Sequence, residues 1–247
     1  MTHPHRLGAL ALLTLGLGAG PALAQDSRLP AAGEIAFAIT GGPEFDLGSQ
    51  FHGGGVAGPV AVESRDWGDV YDYTLNVQAD IALGLDSRSQ IGLTLGWSTA
   101  EGQGLDIGTV GTDVLSAEFD DYQAYTAAAY YRRYFEVGTG FFPYVAVNGG
   151  VRYVESIDAT FTSAGLPALG LPDSVESRFY DSSWVPTVGF TFGWRNNFRG
   201  VALGLETGLQ YEFELKDDDS TLAPLGLAGL NESGDRWTIP VRLIIVY

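Results

Sequence analysis

The residues of this chain that could do chemistry fall into three groups. The first is a set of charges placed at every second position among apolar neighbours: Asp72, Asp80, Arg152, Glu206, Glu212 and Arg242. In a strand, alternate side chains point to one face, so these charges would meet inside whatever the strands enclose. Glu206 and Arg242 are expected to pair, on neighbouring strands at similar depth. Such a set can fill an interior with ion pairs, or line a narrow path for ions and small solutes. The second group is acidic, densest at Asp120-Asp121 and Asp217-Asp218-Asp219. Carboxylate oxygens suit Ca²⁺ or Mg²⁺, but no segment has the ordered spacing and turn glycine of a calcium-binding loop. A solvated surface is the simpler reading and diffuse divalent-cation binding the sharper one. The third is His52, beside Gly53-Gly54-Gly55. A catalytic His needs a partner such as Ser, Asp or Glu. Ser49 and Ser64 are near, but no motif ties them to it, and no P-loop Lys follows the glycines. A lone His in a connection is expected to be solvated. The expectation is therefore no enzyme, no fixed metal site and no cofactor.

The elements that must position these residues are strands. From Tyr71 to Leu85 the odd positions are Tyr, Tyr, Leu, Val, Ala, Ile, Leu, Leu, and the even ones are polar or small. After Asp86-Ser87-Arg88-Ser89 the alternation resumes at Ile91, Leu93, Leu95 and Trp97, which predicts a hairpin. Trp184 to Trp194 and Val201 to Phe213 repeat the unit around Asn196–Gly200. The last strand sets Trp237, Ile239, Val241, Leu243, Ile245 and Tyr247 on one face, opposite Arg236, Thr238, Pro240, Arg242 and Ile244. A central pair covers roughly Tyr122–Phe135 and Phe141–Glu155. Its second member alternates, but its first is apolar or small on both faces, so its facing stays open. The first strand begins near Glu34, with Ile35, Phe37 and Ile39 on one side. These are eight strands. Their connections alternate between long (41–70, 101–121, 155–182, 216–235) and short (87–89, 136–140, 196–200). Ten strands would result if 41–63 formed an added hairpin.

Ahead of the strands, Met1–Arg6 carries a positive charge, Leu7–Gly20 is apolar, and Ala22-Leu23-Ala24 has the small-x-small pattern of a cleavage site. Residues 1–24 are thus expected to be a secretory signal peptide, and 25–247 a single barrel domain. Cysteine is absent, so no disulfide staples the fold, and an exported protein of that kind leans bacterial. The formal charge of −17 argues against nucleic acid as a partner.

Periodicity alone does not separate a soluble barrel from a membrane one. The residue types do. The face opposite the apolar one is Gly, Ala, Thr and Asn with scattered charges, which suits a narrow polar lumen better than a wet exterior. The apolar face is banded, with aliphatics such as Leu75, Leu93, Val188 and Leu243 in mid-strand and aromatics such as Tyr73, Trp97, Trp184, Trp194, Trp237 and Tyr247 at the ends. Aromatic rings at the ends and aliphatics between them match the two interfaces and the hydrocarbon core of a bilayer. Backbone groups in hydrocarbon must all pair, which requires closure. The expected fold is therefore all-β: an antiparallel transmembrane β-barrel of eight strands.

The segment Tyr131-Arg132-Arg133-Tyr134-Phe135, a Gly-containing turn, and Pro143-Tyr144-Val145-Ala146-Val147-Asn148-Gly149-Gly150-Val151 together resemble the small bacterial outer-membrane barrels of the OmpA/OmpX type. The terminal strand is similar too: it ends on the aromatic Tyr247, with apolar residues at alternate positions before it. The resemblance implies location in the outer membrane of a Gram-negative bacterium and contact with its lipid and lipopolysaccharide. It also implies that Val241, Leu243, Ile245 and Tyr247 form the signal read by the outer-membrane assembly machinery. Ala146 and Asn148 stand where the family often has Gly, and a barrel without the peptidoglycan-binding domain of full-length OmpA is expected. The function expected is structural or at the surface, with a porin-like narrow channel and an adhesin working through the long loops as alternatives.

Overall fold

The computed structural model describes residues 31–137, 141–198, 201–218, 220, 227–232 and 234–247. The expected signal peptide lies outside the described residues, as do parts of two short turns. In chain order the strands are β1 (Ile35–Asp46), β2 (Gln50–His52), β3 (Gly55–Ala57), β4 (Val60–Val62), β5 (Arg65–Asp66), β6 (Thr74–Gly84), β7 (Ser89–Ala100), β8 (Gly104–Val110), β9 (Asp113–Phe119), β10 (Tyr122–Tyr134), β11 (Phe141–Val154), β12 (Ile157–Thr162), β13 (Ser174–Tyr180), β14 (Ser183–Phe198), β15 (Val201–Glu212) and β16 (Arg236–Val246). A four-residue helix, α1 (Trp67–Val70), precedes β6.

Eight of these close into an antiparallel barrel in the order β1-β16-β15-β14-β11-β10-β7-β6. Closure is made by β1, where Gly41 pairs with Leu243 of β16 on one side and Val77 of β6 on the other. The barrel strands are 11 to 16 residues long, enough for a tilted strand of about 9–11 residues to cross a bilayer. Period two is kept around the wall. Leu93, Leu95, Val147, Phe190 and Leu243 project outward and exposed, while Thr94, Ala146, Thr191 and Arg242 are buried inside. Exposed aromatics gather at both ends of this apolar wall. Tyr73, Tyr125, Trp184 and Trp237 lie toward the long connections, and Tyr131, Phe141, Trp194 and Tyr247 toward the turns. Such a wall has no place in water but matches hydrocarbon between two interfaces.

The undecided facing of β10 is resolved. Tyr122, Ala124, Thr126, Tyr130, Arg132 and Tyr134 point inward, and Tyr125 and Tyr131 outward. Small inward residues on its neighbours give the large rings room. A Cβ at Gly92 of β7 would lie 2.5 Å from the Tyr130 ring, and further round the wall one at Gly193 of β14 would lie 2.7 Å from the hydroxyl of Tyr144 on β11.

The long connections differ from the solvated loops expected. They fold into a cap with its own sheet, in the order β13-β12-β9-β8-β4-β3, plus the β2–β5 pair. Residues 55–62 do make the added hairpin considered above, but it joins this cap sheet, and the barrel stays at eight strands. Tight turns explain the hairpins: Gly58, at φ +58°, precedes Pro59 between β3 and β4, and Gly111, at φ +64°, opens the turn between β8 and β9. Glycine at the first central position fits the hairpin turns that follow strand twist. The cap encloses an apolar core around Phe51, whose ring lies 4.8 Å from Trp67, 5.1 Å from Phe119 and 5.4 Å from Tyr180. Tyr71, which opens the apolar face of the alternating run Tyr71–Leu85, is buried in this core and not on the outer wall, and it donates its hydroxyl to the Asp120 carbonyl at 2.8 Å.

Candidate functional site

Beneath the cap, the barrel interior is filled by a chain of charges that alternate in sign. Arg152 of β11 donates to Glu212 of β15, and its Nη1 lies 3.7 Å from Glu44 Oε2 on β1. Glu44 Oε1 accepts from Arg242 Nη2 at 2.5 Å, and Arg242 Nη1 lies 3.5 Å from Glu206 Oε1. Glu206 Oε2 then accepts from Arg132 Nη2 at 3.4 Å and from the Tyr144 hydroxyl at 2.8 Å. At the cap end, Arg236 Nε is 3.6 Å from Asp46 Oδ2, and its guanidinium sits 5.0 Å from the Trp67 ring centroid. At the turn end, Arg195 lies 5.1 Å from the Tyr134 ring centroid. Arg132, Arg152, Arg195, Arg236 and Arg242 are thus matched in number by Glu44, Asp46, Asp80, Glu206 and Glu212. The described interior is electrically neutral, and the net charge of −17 resides elsewhere.

Each of these positions follows from strand parity. Glu206 and Arg242 are register partners in β15 and β16, and Glu212 pairs with Arg236 at the cap end of the same two strands. Arg152 is opposite Thr126, whose hydroxyl accepts from its Nε at 2.9 Å. Burying ions this completely is unfavourable unless every charge is met by an opposite one and by further hydrogen bonds. The alternating chain supplies the opposite charges, while Arg132 Nε, Arg152 Nη2 and Arg242 Nε have no hydrogen-bond partner among the described residues.

Of the residues singled out in the sequence, Arg152, Glu206, Glu212 and Arg242 come together in this chain. Asp80 is also inside but stands apart, accepting from Thr40 Oγ1 at 3.0 Å and from the Thr94 hydroxyl. Asp72 is not in the lumen. Its side chain is exposed between α1 and β6, because β6 begins only at Thr74 and the chain is still turning there. Five of the ten interior charges are not among the residues the sequence singles out: Glu44, Asp46, Arg132, Arg195 and Arg236. Glu44 was assigned to a connection, yet β1 runs on to Asp46. Arg132 sat on the strand whose facing was open, and Arg236 was placed on the inward face without a partner. Val241, Leu243, Ile245 and Tyr247 all lie on the outward face of β16, with Val241 and Ile245 partly covered and Leu243 and Tyr247 exposed.

An apolar cluster of Ala38, Tyr134, Phe142, Tyr144, Ile244 and Val246 closes the turn end of the lumen. The cap core closes the other. Between them a polar space of about 40 Å³ remains beside Asp80, Thr94, Glu206 and Arg242, room for about three waters.

His52 is not solvated as expected; it is 1% exposed. Its Nδ1 lies 2.9 Å from the Gly53 carbonyl oxygen, and burial pushes its pKa down. Ser49 Oγ is taken by the Trp237 N–H at 2.7 Å, and Ser64 is exposed. Gly53 N–H donates to the Leu230 carbonyl, so the triple glycine is part of the cap backbone. Around Asp120, partial burial and then the carboxylates of Asp158, Asp121, Glu176 and Glu118 push the pKa up. Among the described residues no three His, Asp or Glu side chains are placed to hold a metal ion together. Asp219 of the other acidic cluster lies outside the described residues.

A closed eight-stranded antiparallel wall with an outward apolar belt and a self-filled interior is a small transmembrane β-barrel. It has the architecture of the OmpA/OmpX-type barrels that the sequence resembles. No family model and no curated protein matches the chain. Among solved structures it is similar to the crystal structure of Neisserial surface protein A, at 8% identity over 86% of this chain and 94% of that one, with a TM-score of 0.38. It is also similar to Ail, the attachment invasion locus protein of Yersinia pestis, solved with the heparin analogue sucrose octasulfate. That match has 10% identity over 86% and 96% of the two chains and a TM-score of 0.33.

Proposed function

We propose that this protein is an integral outer-membrane barrel whose lumen is a structural plug and whose work is done outside, by the cap. The observation that carries this reading is the lumen chain Glu212–Arg152–Glu44–Arg242–Glu206–Arg132, sealed at both ends by apolar clusters. An eight-stranded barrel is only wide enough for its own side chains. Here those side chains engage one another in a run of ion pairs, which supports a plug over the porin-like alternative. A non-enzymatic role is supported by His52, whose Nδ1 is bonded to a backbone carbonyl and which has no Ser, Asp or Glu partner among the described residues.

The test is single-channel recording on the refolded barrel in a planar bilayer. The expected record is silent. Discrete current steps that change when Glu206 or Arg242 is neutralised would establish a channel and overturn the plug.

The belt contacts outer-membrane lipid and lipopolysaccharide, and β16 is the strand offered to the assembly machinery. The acidic cap meets lipopolysaccharide phosphates through shared divalent cations, held diffusely and without a fixed ligand set. Calorimetry is expected to show weak, salt-sensitive Ca²⁺ uptake; none at low ionic strength would remove that role.

A further inference from the structure

The core of the cap is incompletely filled. A partly enclosed cavity of about 50 Å³ lies among Ile107, Leu115, Phe119, Leu166 and Leu230, which come from β8, β9 and the two later connections. Among the described residues, every lining side chain is hydrocarbon except that of His52. A space of this size holds about three or four non-hydrogen atoms, and a cavity walled by hydrocarbon stays dry.

The one polar wall residue is itself incomplete. The Gly53 carbonyl can only accept, so the proton on the His52 ring is on Nδ1, and Nε2 carries a lone pair. Nε2 is buried and has no hydrogen-bond partner among the described residues. The ring is fixed in place by Phe119, stacked at 6.4 Å, and by Phe179, edge-on at 5.8 Å. A void in an apolar core and an unmet buried acceptor each destabilise a fold. Here the two coincide, and one occupant would remove both.

That occupant must be apolar over most of its length and carry one donor. An ammonium group would enter hydrocarbon without a counter-charge, and a carboxylate would bring an acceptor to an acceptor. A hydroxyl satisfies the site. We infer that the cap cavity is a binding site for a short aliphatic alcohol, its chain among the leucines and its hydroxyl donating to His52 Nε2. This rests on the reading of the cap as the working part of the molecule and names what that part takes.

The experiment is a titration of the full chain in nanodiscs with 1-propanol and with 1-chloropropane, a similar chain whose halogen cannot donate. The ¹⁵N resonance of the His52 imidazole reports the hydrogen bond directly. The resonances of His3 and His5 are separated from it by the His52→Phe variant. The expected result is a saturable shift of Nε2 with 1-propanol and none with 1-chloropropane. The alcohol should bind about five- to tenfold tighter, the worth of one neutral hydrogen bond. In His52→Phe, binding followed by the methyl resonances of the lining leucines should show no preference between the two compounds. Leu169→Trp, at the half-exposed margin of the cavity, should abolish binding of both. No saturable shift in the wild-type chain, equal shifts from both compounds, or a shift that survives Leu169→Trp would overturn the assignment. Failure here is distinct from failure of the plug: current steps with a shifted Nε2 reject only the plug, and a silent barrel with an unmoved Nε2 rejects only the site.

Discussion

Glu44 stands between two arginines, and its position shows how a buried charge depends on its neighbours. Its two oxygens face Arg152 and Arg242, both of them buried. Glu44→Gln or Arg242→Met alone is expected to cost on the order of 3–5 kcal/mol, because each leaves a buried charge unmet. The double variant should cost less than the two together, by roughly 0.5–3 kcal/mol. Urea unfolding of the three variants in lipid vesicles checks this, and strict additivity would mean that the two side chains do not interact. The parity that places Glu206, Glu212, Arg152 and Arg242 inside was legible in the sequence, since each lies among alternating apolar residues. Glu44 was not, because Gly41, Gly42 and Pro43 interrupt the alternation just before it. Arg132 was hidden for another reason: Ala127, Ala128 and Ala129 are compatible with either face, and only the pairing with β7 and β11 decides.

At the scale of elements, the cap was the part the sequence concealed. Its strands are mostly three to seven residues long, too short to establish a period, and its acidic surface reads as solvated loop. The signals present were the turns at Gly58-Pro59 and Gly111-Thr112. The buried His52 makes the cap sensitive to acid. Its folded pKa is lowered by burial, with Arg65 pushing the same way and the Gly53 carbonyl and Asp69 opposing. In the opened cap the imidazole titrates near its ordinary value of about 6.5. Below that pH the open form binds the extra proton, so cap stability is full above about pH 6.5 and declines as pH falls toward the lowered folded value. Asp120 works in the opposite sense, because its raised pKa favours the folded cap once it is protonated at still lower pH. Protection of the cap amides, taken relative to the intrinsic exchange rate at each pH, is expected to fall between pH 7 and 5.5 in the wild-type chain and to stay level in His52→Phe. The barrel amides should not respond in either.

At the scale of the whole molecule, eight strands and their alternating connections were legible because the wall keeps one period throughout, and each hairpin is bounded by polar turns. The apolar exterior can be tested directly. Leu95 and Leu243 are 67% and 53% exposed in mid-wall, and Val114 is 53% exposed on the cap. In a bilayer, Leu95→Arg and Leu243→Arg should each destabilise by about 2–4 kcal/mol, as expected near the midplane, whereas Val114→Arg should have almost no effect. Unfolding in vesicles measures all three, and equal small effects would mean that the wall faces water. The sheet order of the cap has a consequence for how the molecule is made. Its six strands come as pairs from three separate connections, and β12 meets β9 only after β10 and β11 are side by side. Bringing such distant segments together in an open chain costs loop-closure entropy, which the finished wall has already met. The cap is therefore the last unit to form and the first to open. A chain in which β10 and β11 have not paired cannot join β9 to β12, so an intact cap sheet reports that this part of the wall is assembled.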